Sequence, residues 1–388
     1  MKTEWVHKKL GDDDVAKIIM GQSPSSASYN DENIGLPFLQ GCADFGEVFP
    51  KTSVYCNEPL KVAPQNSILM SVRAPVGTIN KADQKYIIGR GLCSIVSLIN
   101  NDYLYYYLLQ NKNRLEQKAQ GSTFLAINSA EVNDFDVSYP ADLSAQRRIA
   151  AILASADKVI AATQKTIAKY KQIKQGMMED LLKPKDGWKK VKLGECLKQK
   201  PDYGINAPAV PFDNNLPTYL RITDITEDGY YSKKDIVSVS SQDALKYVME
   251  KGDLVFARTG ASTGKTYLYD PKDGMLVFAG FLIRVRTDEN VLLPEFFKYQ
   301  TQTPQYKNWI DANSMRTGQP GINGNEYEAY PVSIPYKNDK PDLPAQRRIA
   351  AILSGIDAKI AAEEKVLQKY EKVKKGLMER MLEEDNDE

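Results

Sequence analysis

The stretch GASTGKT at 260–266 is where phosphate chemistry would first be sought, because glycines let backbone N–H groups close on phosphate oxygens and a lysine supplies countercharge. The nucleotide-binding pattern asks for glycine five positions before the glycine of Gly-Lys, and Thr259 stands there. No acidic metal-holding strand follows at a suitable place, so a Gly-rich turn between strands is the better reading. That turn still gathers Arg258, Thr259, Ser262, Thr263 and Lys265. Arginine at a loop tip can fork onto guanine O6 and N7, while Ser, Thr and Lys suit phosphates. In the first half, SVRAPVGT (71–78) puts Arg73 at what reads as the matching strand end, and Arg90 in YIIGRGLCSIVSL (86–98) joins the set on loop chemistry alone.

A second set lies in AQGSTFLAIN (119–128) and SMRTGQPGIN (314–323), Gly-bearing polar loops that both precede the dipeptide Ile-Asn. Gln120, Ser122, Thr123, Arg316, Thr317 and Gln319 have side chains able to read base edges or grip phosphates. For any one of these residues a solvated surface loop is an equally good account. QRRIA, at 146–150 and again at 346–350, sets two arginines at a helix start, where cations are disfavoured by the helix dipole. Gln146, Arg147, Arg148 and their counterparts Gln346, Arg347 and Arg348 are therefore expected to serve an intramolecular or subunit contact rather than DNA.

Other chemistries are poorly supported. Cys42, Cys56, Cys93 and Cys196 form no C-x-x-C pair, and the single histidine, His7, lies near an N-terminus that reads as disordered. Zinc fingers and His-based nucleophilic catalysis lack their residues, and buried free thiols in a reducing compartment are expected instead. No carboxylate pair, metal cluster or activated nucleophile stands out, and no Asn-Pro-Pro-aromatic run of a DNA adenine methyltransferase occurs. The chain is expected to bear no catalytic site, metal or cofactor of its own. No apolar run is of membrane-spanning length and MKTEWVHKKL lacks a secretory apolar stretch, so a cytoplasmic location away from membranes is expected. A net charge of +1 means that any DNA footprint is local rather than global.

The elements that position these loops come in pairs. Residues 142–182 and 342–382 are one element written twice, identical at 23 of 41 positions. In the first copy Ile149, Ile152, Ala156, Val159, Thr163, Thr166, Tyr170, Ile173 and Met177 recur at spacings of three and four, a heptad-like stripe on a long helix. The second copy runs Ile349, Ile352, Ile356, Ile360, Leu367, Tyr370, Val373 and Leu377, interrupted at Lys359 and Glu363. Asp142 and Asp342 are the expected N-caps, with Pro344 tolerated in a first turn. A helix of some 39 residues would be roughly 58 Å long, the length of a strut rather than of a helix inside a small domain. The two are expected to pack on each other, with Tyr170 and Tyr370 among the contacts.

The duplication extends upstream of the helices. Trp5, Leu10 and Gly11 match Trp188, Leu193 and Gly194, and INSAEVNDFDVSYP (127–140) shares Ile, Asn, Glu, Val, Ser and Pro with INGNEYEAYPVSIP (322–335). Strand-like runs at 66–73, 86–98, 253–260 and 280–286, then helix-like stretches around 101–119 and 294–311, give an α+β domain in each half. The expected plan is an α+β chain of two α/β globular domains, 1–141 and 184–341, each followed by a long helix, 142–183 and 342–388, the last ending in the acidic EEDNDE.

This plan resembles the specificity subunit of type I restriction-modification enzymes. The resemblance rests on L-x-A-Q-R-R-I-A-A-I-L leading into a helix that ends K-x-G-L/M-M-E, from Leu143 to Glu179 and from Leu343 to Glu379, and on Gly-Ser-Thr followed by Ile-Asn at 121–128. It implies two target recognition domains, each reading one half of a bipartite sequence in double-stranded DNA. It also implies two similar helices packed as an antiparallel coiled coil with internal pseudo-two-fold symmetry, which set half-site spacing and dock two methyltransferase subunits. S-adenosylmethionine, ATP and Mg2+ would then belong to those and to restriction subunits. On the residues alone, a coiled-coil adaptor that never reads DNA remains the alternative.

Overall fold

A computed structural model describes residues 4–119, 126–315 and 320–384, and its contacts divide the chain into two units. One comprises Met1–Lys165 with Glu364–Glu388, the other Thr166–Glu363. Both contain the same parts in the same order, and each can be built from the residues the halves share.

In the first unit, Trp5–Lys9 pairs antiparallel with Asp136–Pro140 in the register Trp5↔Pro140. In the second, Trp188–Lys192 pairs with Pro331–Lys337 in the register Trp188↔Pro335. Leu10 and Leu193 follow these strands, wholly buried, and their N–H groups donate to the carbonyls of Phe135 and Tyr330 at 2.8 Å in each case. Gly11 follows because a side chain there would overlap Asn133. His7, expected in a disordered terminus, is instead inside the first strand, its ring nitrogens 2.9 Å from Ser138 Oγ and 3.0 Å from Glu384 Oε2.

Each unit has a four-stranded sheet. The first takes the order Ala16–Met20, Leu92–Ser97, Ile68–Ser71, Ile79–Lys81; the second, Asp202–Tyr203, Leu282–Arg286, Asp253–Ala257, Thr266–Leu268. A second sheet in each contains one parallel pair, Leu36–Leu39 with Tyr86–Ile88 and Thr218–Leu220 with Leu276–Phe278. The apolar run 86–98 is thus two strands in different sheets, turned at Gly89–Gly91. The helix-like stretches are likewise each two helices: α1 (Asn101–Gln110) and α2 (Lys112–Ala119) in the first unit, α5 (Pro294–Gln300) and α6 (Pro304–Ser314) in the second.

The Ile-Asn…Glu identity has a local cause. Asn128 and Asn323 cap short helices, α3 (Ser129–Asn133) and α7 (Gly324–Glu328). Each asparagine accepts the backbone N–H of Glu131 or Glu326 at 3.0 Å, and that glutamate returns to the cap N–H at 2.7 Å. Two orphan donors are satisfied at each helix start.

The long helices are α4 (Leu143–Leu181) and α8 (Leu343–Met381). Asp142 accepts from the Ser144 N–H at 2.8 Å and Asp342 from Ala345 at 2.9 Å, so both cap their helices. The buried stripe matches the expected one at Thr163, Ile349 and Ile360 and departs from it elsewhere. On α4, Ala150, Leu153, Ile160, Thr163 and Ile167 face inward, whereas Ile152 is 42% and Val159 40% exposed. On α8, Leu353 and Ile360 are buried while Ile352, Val366, Tyr370 and Val373 are exposed. The true seam is rotated by one residue because it passes through Gln146, Asp157 and Lys174, polar positions that a hydropathy pattern discards.

Those polar positions carry the packing. Gln146 is 2% exposed; its Oε1 accepts the N–H of Asn100, the cap of α1, at 2.9 Å, and its Nε2 donates to Pro140 O at 2.8 Å. Gln346, fully buried, does the same for Leu293, the cap of α5, and for Val291 O, both at 2.9 Å. About three turns further in, Tyr106 of α1 donates to Asp157 at 2.6 Å while Lys374 of α8 pairs with the same carboxylate at 2.5 Å. In the other unit Tyr299 of α5 donates to Asp357 at 2.8 Å and Lys174 of α4 pairs with it at 2.7 Å. Burial pushes both tyrosine hydroxyls far above their usual range, so they remain donors. In each unit, therefore, the early part of one long helix packs beside the late part of the other. Met378 and Leu382 share the first core with Leu153, and Met178 and Leu182 share the second with Leu353.

All four cysteines are free. Burial pushes the Cys93 and Cys196 thiols up to about 12, whereas Cys42 is half-exposed. Iodoacetamide at pH 8 should modify Cys42 in the native protein and reach Cys93 and Cys196 only after denaturation, as peptide mass mapping will show. Asp357 and Lys174 side chains are 12% and 11% exposed, Asp157 and Lys374 34% and 23%. Asp357→Ala should therefore cost about 3 kcal/mol by leaving a buried ammonium and hydroxyl unmatched, and Asp157→Ala about 1–2 kcal/mol. Denaturant titration of both variants checks the order; equal losses would show that burial does not set the strength.

Candidate nucleic-acid interface

In the second unit the strand Asp253–Ala257 delivers Arg258 at its end, and the next residues form a tight turn before Thr266–Leu268. Thr263 Oγ1 donates to Gly260 O at 2.7 Å, and the Lys265 N–H donates to Ser262 O at 3.0 Å, closing the turn. Gly264 has φ +88°, and a side chain there would strike Ile310 of α6. A phosphate-binding loop needs a helix at its end to aim N–H groups at the phosphates; here a strand follows. Lys265 is committed to Glu227, 2.6 Å away.

The two polar loops that the sequence separates by more than fifty residues lie side by side. Gly260 N–H donates to Pro320 O at 3.0 Å, Ile322 N–H to Arg258 O at 2.9 Å, and Thr259 bridges to Gly321. In the first unit, Ile127 N–H donates to Val72 O at 2.9 Å and Arg73 bridges to Ala126. These bonds fix the true correspondence. Val72 occupies the place of Arg258, and Arg73 that of Thr259, so Arg73 is not the counterpart of Arg258 as the strand ends suggested. With a period of two along a strand, one residue of offset moves the side chain to the other face.

Arg73 and Arg90 are exposed, Arg90 on the turn between Tyr86–Ile88 and Leu92–Ser97 with its N–H on Ser23 Oγ at 3.2 Å. Neither has an acidic partner among the described residues. Gln120, Ser122, Thr123, Arg316, Thr317 and Gln319 lie outside the described residues. Among the described residues no group of three or more His, Cys, Asp and Glu side chains is placed to hold a metal, and no helix is long and apolar enough to cross a membrane.

The described arginines of segment 184–341 sort into two kinds. Arg284 pairs with Asp202 at 2.6 Å and Asp253 at 3.2 Å, Arg286 with Asp253 at 2.6 Å, and Arg221 with Asp224 at 2.7 Å. Hydrogen bonding to Asp253 raises the Arg286 pKa further. Arg258 has no acidic partner among the described residues; its guanidinium carbon lies 5.0 Å from the Tyr203 ring centroid. Tyr203 was not singled out from the sequence. Only a strand pairing 80 residues away brings it to Arg258, and no local signal announces that.

At the helix starts the arginine pairs divide from their glutamines. Arg147, Arg148, Arg347 and Arg348 are all exposed. Arg148 reaches Ser144 Oγ at 3.0 Å and Asp142 at 3.8 Å; the other three have no acidic partner among the described residues, so, of the intramolecular or subunit contact expected, no intramolecular ion pair is seen at them. Tyr170 is half-buried with Lys359 Nζ 6.0 Å from its ring centre, while Tyr370 is exposed.

Comparison with known proteins gives one answer. Residues 2–173 and 185–372 match the family described as type I restriction modification DNA specificity domain. The chain is 41% identical over 182 residues to the putative type I restriction enzyme MjaX specificity subunit of Methanocaldococcus jannaschii, an alignment covering 46% of this chain and 43% of that subunit. It is 24% identical over 307 residues to the MjaVIII specificity subunit of the same organism, covering 74% and 70%. In fold it is similar to the crystal structure of the type I restriction-modification S subunit from M. genitalium, with a TM-score of 0.65 at 15% identity over 98% of this chain and 96% of that one. A chain from a structure of type I R-M complex assembly and conformational transition gives a TM-score of 0.59 at 16% identity, covering 99% and 100%.

Proposed function

The chain belongs to the type I restriction modification DNA specificity family, and from that premise we propose that it is the DNA-reading subunit of such an enzyme. The observation that carries this reading is that the family match covers both halves, each with a matching four-stranded sheet, a second sheet containing one parallel pair, the same capped short helix and the same glutamine clamp. Segments 1–141 and 184–341 each read one half of a bipartite duplex sequence. Loop residues do the reading: Arg73 and Arg90 in one half and Arg258 to Lys265 in the other, joined on chemistry alone by Gln120, Ser122, Thr123, Arg316, Thr317 and Gln319.

The long helices form an antiparallel coiled coil whose length sets the distance between half-sites. What supports this is that each runs unbroken for 39 residues, contributing its first part to one unit and its last part to the other. Bound modules read half-sites about one helical turn apart, roughly 34–36 Å, or somewhat more. The exposed Ile152, its counterpart Ile352, and Val159 and Val366, together with Arg147, Arg347 and Arg348, which have no acidic partner among the described residues, supply surface for two methyltransferase subunits. Methylation with S-adenosylmethionine, and any ATP- and Mg2+-dependent cleavage by restriction subunits, belong to those partners. A near-neutral chain fits this division, since partners then supply much of the phosphate neutralisation. The compartment proposed is the reducing cytoplasm, which suits four free thiols.

Replacing residues 1–140 with the recognition domain of a relative should change one half of the methylated sequence and leave the other intact, as modification mapping of cellular DNA will report; a change in both halves or in neither sinks the modular reading. Removing or adding seven residues within 150–178 should alter the half-site spacing or abolish assembly. An active complex with its spacing unchanged would show that the helices are not the ruler.

A further inference from the structure

Among the described arginines of segment 184–341, Arg221, Arg284 and Arg286 are neutralised by carboxylates, and Arg258 is the one whose fork is left without an acidic partner. It is not left loose. Its Cζ lies over the Tyr203 ring, 5.0 Å from the centroid. The Tyr203 hydroxyl accepts the N–H of Gly324, first residue of α7, at 3.0 Å. The strand carrying Tyr203 is pinned in turn, because its neighbour Asp202 takes Arg284 Nε at 3.1 Å and Nη2 at 2.6 Å. The Arg258 backbone is held on both sides, donating to Phe281 O at 3.0 Å and accepting from Ile322 at 2.9 Å.

A planar cation fixed by stacking, with its hydrogen-bonding edge uncommitted, is the arrangement that recognises two acceptors in one plane. In the major groove guanine alone offers that pair, O6 and N7. The first unit lacks the device: bonding patterns place Met20 where the second has Tyr203 and Val72 where it has Arg258. The two halves share their scaffold and differ at this pair.

We propose that Arg258 reads a guanine in the half-site of the second domain, and that Tyr203 is the positioning residue that holds its guanidinium in the reading plane. This inference rests on the DNA-reading function proposed above and adds the base and the residue pair.

The test expresses the full chain with its methyltransferase subunit and maps methylated bases genome-wide, with the exchange of residues 1–140 identifying which half-motif belongs to the second domain. That half should contain an invariant G·C pair. Arg258→Ala and Arg258→Gln should lower the preference for G·C at that position roughly 5- to 150-fold and leave the other half-motif unchanged. Tyr203→Leu should relax the same position to a lesser degree, and Tyr203→Phe, which keeps the ring, should restore most of the preference. Melting curves confirm that each variant folds. A half-motif without G·C, or an Arg258→Ala complex whose methylation falls equally at all sites with the motif intact, overturns the base assignment. If Arg258→Ala relaxes the position and Tyr203→Leu does not, the positioning role of Tyr203 is overturned. Absence of any bipartite motif with the unaltered chain would instead bring down the DNA-reading function itself, and the inference with it.

Discussion

Asp157 and Asp357 are the constraint on which the fold turns. Each carboxylate, well inside a long helix, must satisfy a tyrosine hydroxyl from the adjoining domain and a lysine from the other long helix. Moving a charge out of water is costly unless its partners are all in place, so the arrangement tolerates one register and few others. Apolar side chains alone would allow neighbouring registers at modest cost. A carboxylate with two committed partners, Asp357 more deeply set than Asp157, does not, and the same logic applies to the glutamines about three turns outward, whose amides each bridge a domain helix cap to a second carbonyl.

These polar clamps explain why the helix element is so alike in its two copies. Gln146 and Gln346, Asp157 and Asp357, Lys174 and Lys374 each have a partner whose position depends on them, and a change at one leaves a buried group unmatched. The asparagine and glutamate of the two capping boxes and the leucine after each first strand are held by similar local bonding. The loops at the sheet ends are under no such demand. Val72 and Arg258, Met20 and Tyr203 sit at equivalent bonding positions with unrelated chemistry: Val72 packs in the first core with Met20 against it, whereas Arg258 lies over the Tyr203 ring.

Where inference from sequence went astray, the cause lies in contacts between distant segments. Hydropathy placed Ile152, Val159 and Ile173 in the seam; the seam runs one residue away through Asp157 and Lys174, which become core residues only when a tyrosine and a partner helix arrive to match them. Arg73 looked like the partner of Arg258 because both end a strand, yet the hydrogen bonds of Ile127 and Ile322 shift the correspondence by one. His7 read as part of a loose terminus, and pairing with Asp136–Pro140 made it part of a strand. The Gly-rich GASTGKT invited a phosphate and proved to be a hairpin turn because the strand Thr266–Leu268, rather than a helix, follows it.

The sequence by itself determined the duplication, the helix starts at Asp142 and Asp342, the Ile-Asn-x-x-Glu caps and the loops worth considering, since repeats, caps and turns depend on residues within a few positions of one another. Only the tertiary structure decided which helix face is buried, which backbone segments pair at the sheet ends and which of the described arginines of segment 184–341 are matched by carboxylates. Those outcomes are set by pairings between distant segments, such as Asp202 with Arg284 and Lys174 with Asp357, and the energy of a buried ion or a stacked cation exists only once both partners have been brought together.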